Sequence, residues 1–160
     1  MNFEPIGVIR TPYQEKAPHQ PVEGDDQEFY LELKDAFREG LDGLEKFRYL
    51  YVIFHIDRLD RPVKMQVAPP WANGREVGLF ASRSPVRPNP IGLSIVRIKK
   101  IAGTKVYTSG LDVFDQTPLL DIKPYIKDLD VKLDANYGWL DEPEERDHLL
   151  SHIKGEPHQH

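Results

Sequence analysis

The feature that most constrains this fold is a series of short segments with two-residue alternation of apolar and polar side chains, with no helix-period stretch between successive ones. Glu28–Lys34 sets Phe29, Leu31 and Leu33 against Tyr30, Glu32 and Lys34, the pattern of a half-buried strand. Arg48–Ile56 is β-branched and aromatic, and Val63–Val67 alternates again. Further strands are expected at Val77–Ala81, Ile91–Ile101 and Lys105–Val113, the last two joined by a Gly103-Thr104 turn. Phe3–Arg10 is a short extended segment closed by Thr11-Pro12. Strands without intervening crossover helices disfavour a parallel, doubly wound sheet. The prediction is a mainly β fold: a single antiparallel β-barrel-like domain with long loops and a short C-terminal helix.

Prolines sharpen that reading, because 14 of them are spread over 160 residues. Glu15–Asp26 carries two of them among turn-forming residues, so a long loop is expected. Leu41–Phe47 is at most a short helix, and the chain from Pro118 reads as irregular. Glu142–Lys154 predicts a helix with acidic residues at its start and basic ones toward its end, followed by a frayed tail from Gly155. Residues 1–160 are expected to form one domain, with core motifs in 3–126 and an extension over 127–160.

Several chemistries are disfavoured. Cysteine is absent, which removes disulfides, thiolate nucleophiles and cysteine metal sites. The N-terminus lacks a basic start followed by an apolar run, and no stretch approaches the roughly 18 apolar residues of a membrane span. A cytoplasmic location is the expectation. No Gly-x-Gly-x-x-Gly follows a strand, so the usual dinucleotide-type cofactor turn is missing. His148 and His152 lie four apart without a carboxylate-rich zinc pattern, and no metal is expected. Trp71 and Trp139 suit loop and tail packing better than base stacking. Asp141, Glu142, Glu144, Glu145 and Asp147 read as a solvated helix face or as a charge partner for a basic surface.

The net charge is −5, yet its distribution is uneven. From Tyr51 to Lys105 there are ten basic residues (Arg58, Arg61, Lys64, Arg75, Arg83, Arg87, Arg97, Lys99, Lys100, Lys105) against Asp57, Asp60 and Glu76, so that segment is +7 and the remainder −12. Polyanion binding needs local charge, which this block could supply; scattered over several strands it would supply none.

Two segments could carry chemistry. In Arg83-Ser84-Pro85-Val86-Arg87-Pro88-Asn89-Pro90-Ile91-Gly92, three prolines fix the backbone around two arginines, two polar side chains and a glycine. That makes either a rigid basic site wall or a structural corner. In Ser109–Tyr125, Asp112, Asp115 and Asp121 could bond ribose hydroxyls, balance a positive sulfur or accept a proton. They could equally cap turns.

Taken in series, Arg83-Ser84, Arg87-Pro88-Asn89-Pro90-Ile91-Gly92 and Asp115-x-Thr-Pro-x-x-Asp121-Ile122-Lys123-Pro124-Tyr125 resemble the tRNA threonylcarbamoyladenosine N6-methyltransferase family. Ile6–Tyr13, Gln20-Pro21 and Phe54-His55 add to the likeness, which spans roughly residues 3 to 126. The resemblance implies a compact β-barrel methyltransferase, commonly a homodimer, using S-adenosyl-L-methionine on a tRNA adenosine that bears a threonylcarbamoyl group beside the anticodon. It implies cofactor contacts from Gln20, Pro21, Val22, His55, Ile56, Arg83, Leu93, Ser109, Gly110, Leu111 and Asp112. Arg87, Asn89 and Lys123 are candidates for holding the RNA. Two departures stand out: the family usually has glycine where this chain has Gln116, and its bacterial members continue into a C-terminal domain where this chain ends in an acidic helix.

Methyl transfer from a sulfonium rests mainly on positioning, and the urea-like acceptor nitrogen must lose a proton. Asp115, His55 and Tyr125 are the candidate proton acceptors, although His55 could instead be a hydrogen-bonded core histidine. The rival readings are a noncatalytic RNA-binding β-barrel module and a hydrolase built on Ser84, His55 and Asp115. The hydrolase is weak, because Pro85 removes the backbone N–H that an oxyanion hole would use after Ser84.

Overall fold

The computed structural model describes residues 1–22, 24–141 and 143–154. Six strands pair antiparallel in a closed barrel: β1 (Gly7–Arg10), β2 (Phe29–Leu33), β3 (Tyr49–His55), β6 (Ile91–Ala102), β7 (Lys105–Thr108) and β8 (Thr117–Pro124). Their spatial order is β1-β2-β7-β6-β3-β8, and β8 returns to β1 through Gly7↔Leu119 and Ile9↔Thr117. A separate two-stranded ribbon joins β4 (Gln66–Val67) to β5 (Val77–Gly78).

Alternation fills the barrel. Ile9, Leu31, Leu50, Val52, Val106 and Leu119 are fully buried, with Phe29 and Val96 almost so, while their strand neighbours face outward. Gly92 is required inside, because a Cβ there would overlap the Phe54 ring at 2.0 Å.

The strand directions decide where function can sit. β1, β3 and β7 end at one rim of the barrel, and β2, β6 and β8 start there. The three long connections, 11–28, 56–90 and 109–116, therefore all leave from that rim. The opposite end carries the tight β6–β7 turn and two 3-10 turns, Asp35–Leu41 and Leu44–Lys46.

The antiparallel β fold stands as expected, and several boundaries shift. Val63–Val67 keeps only two strand residues, and Val77–Ala81 turns into a 3-10 turn after Gly78. Lys105–Val113 stops at Thr108, where Ser109 caps the pairing: its N–H donates to Arg97 O and its Oγ accepts from Arg97 N–H. Leu41–Phe47 is split between the two 3-10 turns. The segment from Pro118, expected to be irregular, is strand β8. Its prolines stand at its second and last positions, where a missing N–H interrupts the ladder least.

Beyond the barrel lie a four-residue helix α1 (Lys127–Asp130) and helix α2 (Pro143–Lys154), which begins one residue later than expected. Glu142, the tail from Gly155 and the side chains of Glu144, Glu145 and His152 lie outside the described residues. Trp71 is buried in its loop, and Trp139 donates its indole N–H to Ala81 O at 2.8 Å, so both tryptophans pack.

Candidate functional site at the loop-bearing rim

The first and third long loops meet at the rim. A Cβ on Gly110 would lie 2.4 Å from Val22 O, so the Gln20–Val22 turn rests directly on the backbone of the Ser109–Asp112 segment. Leu111, the next residue, is buried in the core cluster of the barrel. Asp112 is half-buried, and the loss of water pushes its carboxyl up to about 6; its own backbone hydrogen bond and the positive field of Arg83 offset this only in part. The field of Arg83, exposed on the second loop, thus reaches a carboxylate that lacks full compensation. Tyr13 donates its hydroxyl to Asp25 Oδ2 at 3.1 Å across the first loop, and desolvation with that bond raises it to about 12.

His55 ends β3 at the same rim with its side chain exposed, which rules out a core histidine. Ile56 follows it and donates its N–H to Pro90 O at 2.8 Å, tying β3 to the rigid Arg83–Gly92 wall. Leu93 is 60 % exposed on the outer face of β6 and is not wrapped by the loops of its own chain.

Asp115 sits at the rim too, but as a clamp. Its Oδ1 accepts from Arg10 Nε at 2.8 Å and from Thr11 N–H at 3.1 Å, and its Oδ2 accepts from Gln14 Nε2 at 3.4 Å. Burial alone would raise this carboxyl, but these donors and the Arg10 charge outweigh it and hold Asp115 below the usual carboxylate range. Arg58 Nη2 donates to Asp115 O at 2.6 Å, with its guanidinium 5.4 Å from the Phe114 ring centroid. Sequence reasoning missed Arg10, Gln14 and Arg58. Arg10 stood within the Ile6–Tyr13 motif and Arg58 within the basic block, but neither was given a role at the site.

Tyr125 is elsewhere. Its N–H donates to Tyr49 O, and its ring lies 5.6 Å from that of Tyr51 near the start of β3. Six strand steps, about 20 Å, separate Tyr49 from His55. Lys123 is on that same outer wall, 2.9 Å from Asp121 Oδ2. Arg87 donates to three backbone carbonyls, those of Leu79, Ser82 and Ser84 at 3.3, 2.9 and 3.2 Å, and so fastens the wall from within. Asn89 is exposed there, with its carbonyl accepting from Ile91 N–H at 2.8 Å.

The basic block divides. Arg58, Arg61, Lys64, Arg75, Arg83 and Arg87 belong to the second rim loop, whereas Arg97, Lys99, Lys100 and Lys105 belong to β6 and β7. No group of three His, Asp or Glu side chains suited to a metal occurs among the described residues.

Comparison with known proteins converges on one family. The model of the tRNA-methyltransferase O N-terminal domain matches residues 8–131. A probable S-adenosyl-L-methionine-binding protein of Pyrococcus abyssi is 38% identical over 141 residues, 87% of this chain and 76% of the relative. The mouse tRNA (adenine(37)-N6)-methyltransferase is 40% identical over 134 residues, 79% of this chain and 31% of the relative. The crystal structure of TrmO from Pseudomonas aeruginosa superposes with a TM-score of 0.70 at 34% identity, covering 86% of this chain and 62% of that one. The chain thus spans less than two thirds of the mouse enzyme and of the solved structure.

Proposed function

The chain belongs to the tRNA-methyltransferase O N-terminal domain family, and from that premise we propose that it is an S-adenosyl-L-methionine-dependent tRNA (adenine-N6) methyltransferase acting on the threonylcarbamoyl-bearing adenosine beside the anticodon. The observation that carries the reading is the convergence of Gln20–Val22, Arg83 and Ser109–Asp112 at one rim.

These residues fit the cofactor chemically. The incompletely neutralised carboxyl of Asp112 complements a cation, the exposed Arg83 guanidinium complements a carboxylate, and the Val22–Gly110 contact forms a wall against which a flat ring can lie. When bound, S-adenosyl-L-methionine supplies an electrophilic methyl group. The protein's part is to align the acceptor nitrogen with that methyl and to receive the proton the nitrogen loses. Of the three candidate acceptors, Asp115 has both oxygens engaged and its basicity lowered, and Tyr125 is at the far end of β3. His55, exposed at the rim, takes that role in our reading. The clamp at Asp115 is a positioning device that ties the end of β1 to the third loop.

We also propose that the active form is a homodimer. Ile91, Leu93 and Ile95 are 46 %, 60 % and 52 % exposed in one line on β6, beside Tyr51 and Ile53 on β3. An apolar stripe of that kind suits a second copy of the chain better than water.

Transfer of label from S-adenosyl-L-methionine to tRNA tests the reading. Threonylcarbamoyl-bearing tRNA should be labelled at least tenfold faster than unmodified transcript. Equal or absent labelling of the two overturns the substrate. His55→Ala should lower kcat by about 10²-fold or more with cofactor affinity kept within a fewfold; full activity overturns its role.

A further inference from the structure

The outer wall of the barrel carries a second ordered array that the rim does not use. Arg10, Tyr30, Tyr107 and Lys100 are direct cross-strand partners on β1, β2, β7 and β6. Their neighbours Ile9, Leu31 and Val106 fill the core, so Arg10, Tyr30 and Tyr107 face outward. The Tyr30 and Tyr107 rings have centroids 5.2 Å apart with planes 35° from parallel. Lys100 Nζ stands 4.4 Å from the Tyr107 centroid, and Lys105 Nζ 5.1 Å from that of Tyr30. Arg10 closes the row 6.0 Å from Tyr30. A recess of about 310 Å³ opens beside it, with Lys99, Lys100 and Tyr107 on one side and Asp26 and Glu28 on the other.

We propose that this row is a second RNA-binding surface, a platform for unpaired nucleotides of the substrate RNA outside the methylation site. The inference rests on the reading of the chain as a tRNA methyltransferase. A β-sheet face with two adjacent aromatic rings flanked by cations stacks bases and meets phosphates in the same footprint. Three strand spacings, about 14 Å, separate Arg10 from Lys100, which matches a short stretch of single strand rather than one small anion. The lysine ammonium groups lie over the rings in the free protein; bases arriving on the rings displace them toward phosphate oxygens. Asp26 and Glu28 at the recess offer acceptors to base amino groups and ribose hydroxyls. Arg10 links the two regions, since its Nε holds Asp115 at the rim while its guanidinium begins the row. The two surfaces share β6, with Lys100 of the platform near its C-terminal end and the Ile91–Ile95 stripe at its N-terminal end.

The test uses the full chain and bulk tRNA, with Kd followed through a salt series. In K100A/K105A the Kd should rise about tenfold, and the slope of log K against log salt should fall by roughly 1.4–1.8, the share of two phosphate contacts. Y107A should raise Kd by roughly 5- to 100-fold, and Y107F should keep wild-type binding. In turnover, KM for tRNA should rise in both weakened variants, with kcat and S-adenosylhomocysteine affinity unchanged. If the row serves only to knit the sheet, the same variants lose thermal stability while the tRNA Kd and salt slope stay at wild-type values; that result overturns the platform. Failure of the wild-type chain to bind or methylate any tRNA overturns the functional reading itself, and is seen before any variant is compared.

Discussion

At the scale of single residues, Gln116 stands where the backbone favours glycine. Its φ is 66°, in the left-handed region that favours glycine, at the turn leading from the Asp115 clamp into β8. A non-glycine residue there costs about 1–2 kcal/mol, partly offset because glycine has more freedom to lose on folding. The Gln116 side chain is exposed, and its N–H donates to Ile9 O whatever the side chain. Gln116→Gly should therefore stabilise the fold by about 0.5–1 kcal/mol, raising Tm by roughly 2–4 °C. Calorimetry showing an unchanged or lower Tm would contradict this account. The two aspartates of the same loop titrate in opposite senses. Asp112 is raised to about 6 in the folded chain, so folding favours its neutral form. Its contribution is full below the ordinary carboxylate range and is lost as pH rises through about 6. Asp115 is lowered, so its contribution is present above the unfolded value and lost as pH falls through the folded one. Asp112→Asn should therefore be more stable than the native chain at pH 7.5, by up to about 3 kcal/mol, with the gap closing by pH 4. The same variant should bind S-adenosylhomocysteine more weakly at pH 7.5. Paired thermal and calorimetric titrations at the two pH values decide both points.

At the scale of elements, the alternating strands were legible because each has one buried face. β2 announces itself through Phe29, Leu31 and Leu33, and β3 through Leu50, Val52 and Phe54. β8 was illegible because Pro118 and Pro124 mimic a broken loop, although Thr117 and Leu119 keep the two-residue period. Pairing to both β1 and β3 supplies what local propensity does not. The end of β7 was equally hidden, since Ser109–Val113 reads as extended chain and only the Ser109–Arg97 bonds show where pairing stops. The motifs of the site were visible as motifs, but the contacts of Arg58 and Gln14 with Asp115 were not, since side chains reaching a distant backbone carbonyl or carboxylate leave no sequence period. Loop contact is the step that builds the site, and Gly110 is its most exacting position. Any side chain there meets Val22 O at 2.4 Å, and backbone cannot yield as a rotamer does. Gly110→Ala is expected to weaken S-adenosylhomocysteine binding at least tenfold while the barrel strands, which it does not touch, keep the chain folded. Wild-type affinity in that variant would show that the Gln20–Val22 turn is not part of the cofactor wall.

At the scale of the whole molecule, one chain does not bring all of its candidate residues together. Leu93 points away from the loops of its own rim, and Tyr125 lies beside Tyr49 and Tyr51 near the start of β3, whereas His55 ends that strand. Leu93 is the centre of the outward stripe of Ile91, Leu93 and Ile95, the surface we assign to a second copy, and Tyr125 lies beside Tyr51, the cross-strand partner of Ile95. Association through that stripe as proposed would cover the exposed apolar row, and we propose that assembly and activity are coupled. Introducing charge tests the coupling directly, because a carboxylate in the centre of an apolar contact is costly to desolvate while on a free surface it is harmless. The double variant Leu93→Asp, Ile95→Asp should sediment as a monomer at concentrations where the native chain is a dimer, with Tm lowered and methyl transfer reduced at least tenfold. Native chain that sediments as a monomer at tens of micromolar would sink the dimer. A variant that is monomeric yet fully active would leave the dimer standing and remove its link to catalysis, returning the whole site to the three loops of one rim.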